Sequence, residues 1–499
     1  MAKRGIGRRE FVAGAAGVGA AGLMGASPLA ASAPSQAQGG RAGSAPESPR
    51  RDPGLPVRGE LLIRGAHVLT MDPALGDIPN GDVHVKSGNI VAVGKNLAAP
   101  GAAVIDARHT IAMPGFVDTH WHMWTTYLRC MAGDKPDDGY FPVTTRYGMA
   151  MQPDDMYHST KLAAAEAIYS GITTVNDECH NIRSLDYALA DLRALRETGL
   201  RARFSYGPYR GIPPDEPRDL AGLEKLHSGW SQHSSDGLIA LGYTWGGLPT
   251  ADASGTAPPQ SRVDAARKEI ETARRLGVPI SIHLASRDGT PAGQVQAQAE
   301  FLGSDMLLIH MLATSPEEMK LVARSGAWVS TSPGSELRIG YGLTKVSEFR
   351  EAGVKVAVSV DTAPLTGNCH MFGILKLMRN AVNAKALDEF KLNAREALEM
   401  GTIQGARALG IDRMTGSLTL GKRADLILVR TDAITMGVFT DPAHMIVEAA
   451  EPSNVDTVVI DGRILKRNGK LTSLSSEQII ADAAATLAAV TKRVKTPSA

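Results

Sequence analysis

The sequence predicts an α/β protein, a distorted (β/α)8 barrel with a small β-sandwich domain built from both of the barrel's flanks. Three observations predict it. Between about residues 114 and 413, eight apolar or β-branched runs alternate with helical segments, the pattern of repeated βα units around a parallel sheet. Short strands broken by Gly, Asn or Pro precede that region, and the same texture returns after it. Histidines or an aspartate close several of the apolar runs, as a barrel does when it gathers chemistry at the carboxyl ends of its strands.

The elements follow in chain order. Gly7-Arg8-Arg9-Glu10-Phe11-Val12, a Gly/Ala-rich apolar stretch to Leu29 and then Ala31-Ser32-Ala33 resemble a twin-arginine export signal cleaved after Ala33. This implies a secreted or extracytoplasmic protein, the Tat export machinery as a transient partner, and no stable membrane anchor. Residues 1–33 carry four basic side chains and one acid, so cleavage takes the formal charge from +1 to −2. Residues 34–57 are rich in Pro, Gly, Ser and Arg and read as a disordered linker. Residues 58–113 hold the first sandwich strands, LLIRGAHVLT, DVHVKSGNIVAVG and AAVIDARHTIAMPG.

Residues 114–413 are predicted as the barrel, with strands at 115–119, 173–176, 202–206, 238–243, 279–283, 306–310, 328–332 and 355–360. Helices at 153–170, 184–198, 261–276 and 315–325 begin near Ser, Asp or Pro and end near Gly, as helix caps require. Residues 414–475 return to sandwich strands, and 476–499 form an Ala-rich helix and tail.

With 499 residues and 43% hydrophobic content the chain can fill one large core and a smaller one. Lys plus Arg at 53 against Asp plus Glu at 52, with no basic tract, excludes a nucleic-acid binder and favours a small-molecule substrate. Cys130, Cys179 and Cys369 cannot all pair and form no CxxC, so free thiols are expected, with at most one bridge.

His120 and His122, two apart at a strand end, project to one face and can share a divalent ion. His283 closes VPISIH, His310 closes DMLLIH, and Asp361 follows VKVAVSV. Since parallel strands open on one face, the four histidines and the aspartate converge there. The stretches MPGFVDTHWHMW, ISIH, LLIH and SVDT, with the tail MGTIQGARALGIDRMTGSLTLGKRADLILV, resemble the amidohydrolase superfamily. Within it they are similar to the mononuclear-metal branch of cytosine deaminase, adenosylhomocysteine deaminase and triazine hydrolase.

The resemblance implies a TIM barrel holding one divalent ion, zinc foremost with iron or manganese open, on His120, His122, His283 and Asp361, with His310 at or beside it. It also implies a single ion, because the two-metal members use a carboxylate or carbamylated lysine that the fourth-strand segment LIALGYTWGG lacks. Asp361 then takes a proton from metal-activated water and passes it to the leaving group. Relatives often pair, which leaves a homo-oligomer open. In one respect the chain departs from its relatives, whose deaminating members carry a glutamate three residues after the fifth-strand histidine. Here that position is Ser286.

His180, in TTVNDECHN, is the substitute proton donor and a substrate contact, with Asp177 and Glu178 beside it, one of the two facing the barrel wall. Trp124, Tyr127, Arg129, Trp245 and, beside Cys369, His370 are candidate substrate contacts, and Ser332–Arg338 is a candidate rim. The function implied is water-mediated hydrolysis of a C–N bond in an amide or cyclic amide, or of an amine or halide substituent on a nitrogen heterocycle. A heterocycle deaminase with a non-glutamate donor and a metal-free binding protein on the same scaffold are the competing readings.

Overall fold

Eight parallel strands pair in chain order and curl until the last meets the first. In the computed structural model, which describes residues 54–209, 212, 218–234, 236–249, 257–285 and 293–495, they span Phe116–Trp121, Ile172–Ile182, Arg201–Pro208, Ile239–Trp245, Ile280–Leu284, Met306–His310, Trp328–Thr331 and Lys355–Val358. The export signal, most of the linker and Ser286 lie outside the described residues. A parallel bridge between Trp121 and Asp361 closes the ring. Two backbone bonds seal it: His122 N–H donates to the Asp361 carbonyl at 2.7 Å, and Asp361 N–H to the His120 carbonyl at 2.9 Å. Predicted site residues thus form the seam of the barrel.

The surrounding helices start and stop where the caps predict. Pro153–Ser170 opens on a capping box between Gln152 and Asp155 and ends at Gly171, whose φ of 87° suits a residue without Cβ. Pro316–Ser325 repeats the device with Ser315 and Glu318. No described helix is long and apolar enough to cross a membrane. The terminal helix Ser476–Lys495 packs on Pro153–Ser170, where Arg493 pairs with Asp155.

The second domain is one hydrogen-bonded sheet of nine strands, drawn from both flanks of the barrel. Thr110–Pro114 runs antiparallel to Leu426–Arg430, with Met113 opposite Ile427, so the entering and leaving chains are stitched side by side. Val68, Val83, Ile90, Leu426 and Val459 lie in its own apolar core. All three cysteines are free; Cys130 is exposed, Cys179 and Cys369 are buried.

Gly115 carries the chain from this sheet into the barrel. A Cβ there would lie 2.1 Å from Thr173 Cγ2 and 2.2 Å from its Oγ1, on a β-branched side chain with no room to turn. Gly115→Ala is therefore expected to destabilise the protein by about 3 kcal/mol in urea unfolding, as overpacking does. Because the same Cβ would also lie 2.6 Å from Thr173 Cβ, Thr173→Ala in the same chain should recover only part of the loss, and an unchanged unfolding midpoint for the single variant would refute the close approach.

Candidate active site

The first strand ends in alternation, so His120 and His122 turn inward while Trp121 packs in the core. Their rings lie 4.6 Å apart, and His283 from the fifth strand stands 4.7 Å from His120 and 5.2 Å from His122. Asp361 Oδ1 reaches within 3.2 Å of His120 Nε2 and 3.6 Å of His122 Nε2. Ligand atoms of His120, His122 and His283 cluster within 4.8 Å of one another, as do those of His120, His310 and Asp361. The five residues expected to converge do so.

Hydrogen bonds outside the cluster aim the rings. His122 Nδ1 lies 3.1 Å from the Glu178 carbonyl, which can only accept, so Nδ1 carries the proton and Nε2 offers its lone pair inward. His310 Nδ1 donates to Glu336 Oε1 at 3.1 Å. Burial opposes charge on His310, but the Glu336 hydrogen bond and the nearby Asp361 carboxylate outweigh it and raise its pKa. Burial, then the four surrounding imidazoles, push the His283 pKa well down and keep it a neutral lone-pair donor. Burial also works against the Asp361 carboxylate, yet the His120 hydrogen bond and the charges of His120, His310 and His122 hold its pKa below the usual range.

Backbone strain marks the same spots. His310 and Asp361 have φ of 73° and 68°, in the left-handed region that side-chain-bearing residues avoid at about 1–3 kcal/mol each.

His180 lies on the second strand, its ring 5.2 Å from His122 and 5.0 Å from His283. Of its two acidic neighbours, Glu178 faces inward and Asp177 the wall. Glu178 accepts from Asn176 Nδ2 at 3.0 Å and from Thr244 Oγ1 at 2.5 Å, and its Oε2 is 3.6 Å from His180 Nε2. Burial would raise its pKa, but the His180 contact and the His120 charge lower it to about 2. Asp177 is fully buried away from the cluster, where burial and the Asp191 carboxylate push its pKa well up.

A cavity of about 380 Å³ opens over the cluster, walled by Tyr140, Phe141, Trp245, Ile339, Tyr341 and Leu365. Its size is that of a small-ligand site, commonly about 300–1,000 Å³. Trp245 lines it as predicted, with Nε1 donating to the Ala266 carbonyl at 3.1 Å.

Four predicted contacts are corrected. Trp124 is wholly buried in the core against Gly148, because the short helix Met123–Leu128 turns it away from the opening. His370 caps the helix Met371–Ala386, its Nδ1 accepting from Gly373 N–H at 3.2 Å, outside the cavity lining. Tyr127 is likewise core, and Arg129 pairs with Glu166.

Two residues that support the site were not singled out in the sequence. Glu336 lies within the predicted rim, and only the tertiary fold reveals its bond to His310. Asp118, inside the His120 motif, accepts from His120 N–H at 3.0 Å and Val360 N–H at 3.3 Å; full burial drives its pKa well up.

The sequence profile of the amidohydrolase family matches residues 111–465, most of the chain. The chain belongs to the amidohydrolase family. Among curated relatives of this amidohydrolase, the 5-methylthioadenosine/S-adenosylhomocysteine deaminase of Moorella thermoacetica is 30% identical, over 87% of this chain and 99% of the relative. The 5'-deoxyadenosine deaminase of Methanosarcina barkeri is 29% identical, over 85% and 96%. In fold, the amidohydrolase superposes on a zinc-bound adenosine deaminase from Xanthomonas campestris with a TM-score of 0.73 at 23% identity, covering 88% of this chain and 100% of the other. It superposes equally, at 22% identity, on the zinc complex of atrazine chlorohydrolase from Arthrobacter aurescens, with a TM-score of 0.73 and coverage of 86% and 100%. Membership makes the protein an enzyme that hydrolyses carbon–nitrogen bonds.

Proposed function

We propose that this amidohydrolase uses water to displace an amino group, or an equivalent leaving group, from a ring carbon of a nitrogen heterocycle, with aminopurine nucleosides as the first substrate class. The observation that carries the reading is the aromatic-walled cavity of about 380 Å³ whose floor is the His122, His180, His283, His310 and Asp361 cluster. Flat walls over a polar floor suit a ring laid edge-down on the reacting groups.

The donor set fits a metal ion. His122 is fixed with its lone pair inward, His283 Nε2 is buried with no hydrogen-bond partner among the described residues, and the Asp361 carboxylate stands 3.6 Å from His122 Nε2. His120, His122, His283 and Asp361 would hold the ion, and three imidazoles with one carboxylate favour zinc. Bound there, a divalent ion supplies Lewis-acid activation of water.

The protein's own groups do the rest. Asp361 accepts a proton from the attacking water and returns it to the leaving nitrogen. His310, held by Glu336, orients the attacked carbon's substituents through Nε2. His180, held beside Glu178, faces the ring nitrogen where relatives place a glutamate.

Ser286 at the glutamate's position favours a second reading, hydrolysis of an amide or lactam, which needs no ring protonation. Ammonia release by the zinc-loaded enzyme from adenosine, 5'-deoxyadenosine, aminopyrimidines and amino-triazines separates the two, with aryl amides and lactams as the contrast. Turnover of one of the amino-heterocycles supports the proposal. Hydrolysis confined to the amides or lactams overturns it.

A further inference from the structure

We infer that the amidohydrolase carries an oxyanion-binding site at the amino-terminal end of its barrel, on the face opposite the active site, with phosphate as the ligand class. A cavity of about 300 Å³ lies there, lined by Arg203, Arg274 and Arg407 together with Ser304, Asp305 and Leu409. Three guanidiniums against one carboxylate leave the lining with two positive charges in excess. The site is independent of the proposed reaction.

The residue that decides the matter is Arg203. It lies at the inward-facing start of the third strand, only 5% exposed, and its stem runs beside Gly242 on the fourth strand, where a Cβ would lie 2.8 Å from Arg203 Cδ. A guanidinium so buried ordinarily has a carboxylate partner. Arg203 has none within 4.0 Å among the described residues; its one hydrogen bond is from Nη2 to the Leu409 carbonyl at 2.6 Å. That bond uses one of five N–H donors, and the others have no acceptor among the described residues. Burial lowers its pKa to about 10, with the distant Glu178 the one carboxylate acting against this.

The companions suit an anion as well. Arg407, on the short helix Ile403–Ala408, is exposed and has no ion pair among the described residues. Arg274 is anchored by Asp305, with Nε 2.8 Å from Oδ2, and donates also to the Phe301 carbonyl at 2.5 Å. One deep fork, one anchored fork and one exposed fork from separate elements converge on one opening. A tetrahedral oxyanion accepts from several forks at once, and guanidinium matches phosphate bidentately. A lone carboxylate would satisfy fewer of them.

The test is thermal melting of the metal-loaded enzyme at constant ionic strength in sodium chloride, inorganic phosphate or ADP, for wild type, Arg407→Gln and Arg203→Met. Phosphate should raise the wild-type melting temperature above the chloride control, and Arg407→Gln, an exposed change that leaves the core intact, should weaken the apparent phosphate affinity at least tenfold. A matching response to ADP marks the terminal phosphate of a larger molecule as a source; a response to inorganic phosphate alone marks the free ion. If Arg203→Met folds, it should abolish the response, and if it does not, Arg407→Gln decides. No shift beyond chloride, or a shift undiminished in Arg407→Gln, overturns the assignment, since an anion bound at the metal centre would ignore this substitution.

Discussion

Asp361→Asn is expected to lower kcat/KM by about 10³- to 10⁴-fold while leaving the fold in place. The loss follows from what the carboxylate does: it is the proton acceptor of the proposed reaction, and general acid–base groups contribute about 10²- to 10⁴-fold. It also supplies the one negative ligand beside three imidazoles, so metal content should fall with activity. The fold should survive because the barrel is closed by the Asp361 backbone, not its side chain. Asn tolerates the left-handed φ of 68° better than most residues. Steady-state rates, metal analysis and a melting curve on one preparation check all three statements. Activity within tenfold of wild type would remove Asp361 from the mechanism.

The second large effect concerns stability. Asp425→Ala should cost about 3–5 kcal/mol, because it strands a buried arginine. Arg201, at the foot of the third barrel strand, sends Nε to Asp425 Oδ2 at 2.6 Å and Nη2 to Oδ1 at 3.2 Å, with the two side chains 4% and 0% exposed. Asp425 also accepts from Asp461 N–H at 2.7 Å, tying the barrel to the nine-stranded sheet. Asp461 in turn pairs with Arg58, Arg423 and Arg463, so the cluster clasps both flanks of the chain to the barrel's foot. Urea unfolding checks the magnitude, and a loss under about 1 kcal/mol would show that Asp461, 3.6 Å from Arg201, replaces Asp425 fully.

The pH dependence of this clasp has a definite sign. Burial raises the Asp461 pKa, but hydrogen bonds from Arg58 and Arg423 and the charges of Arg423 and Arg201 outweigh it, so the folded value lies below the unfolded one. Its contribution is therefore complete above the ordinary aspartate range, about 3.9, and is lost as pH falls through the lowered folded value.

Much of this was legible before any coordinates. Strand ends could be placed because an apolar run that stops at a polar residue marks where a buried strand reaches the surface of the barrel, as VPISIH and DMLLIH do. Helix limits at Pro153, Gly171 and Pro316 were written in cap chemistry. The candidate contacts fared differently. Trp245 and His180 line the cavity, whereas Trp124 and His370 do not. His180 and Trp245 lie on strands, which fix their direction, whereas Trp124 and His370 lie beyond strand ends, where a residue's direction depends on turns that composition does not encode.

Local sequence thus placed the eight strands and the His and Asp residues at or just past their ends, because period, caps and apolar runs act over a few residues. The second strand nonetheless runs on to Ile182, well past its predicted end at residue 176. Contacts between distant segments were decided only by the tertiary structure. Glu336 holds His310 from 26 residues away, the seam joins Trp121 to Asp361, and Arg203 meets Leu409 across 206 residues. Even the left-handed backbone at His310 and Asp361 belongs to this class, since an unfavourable φ persists only where the closed barrel leaves no alternative.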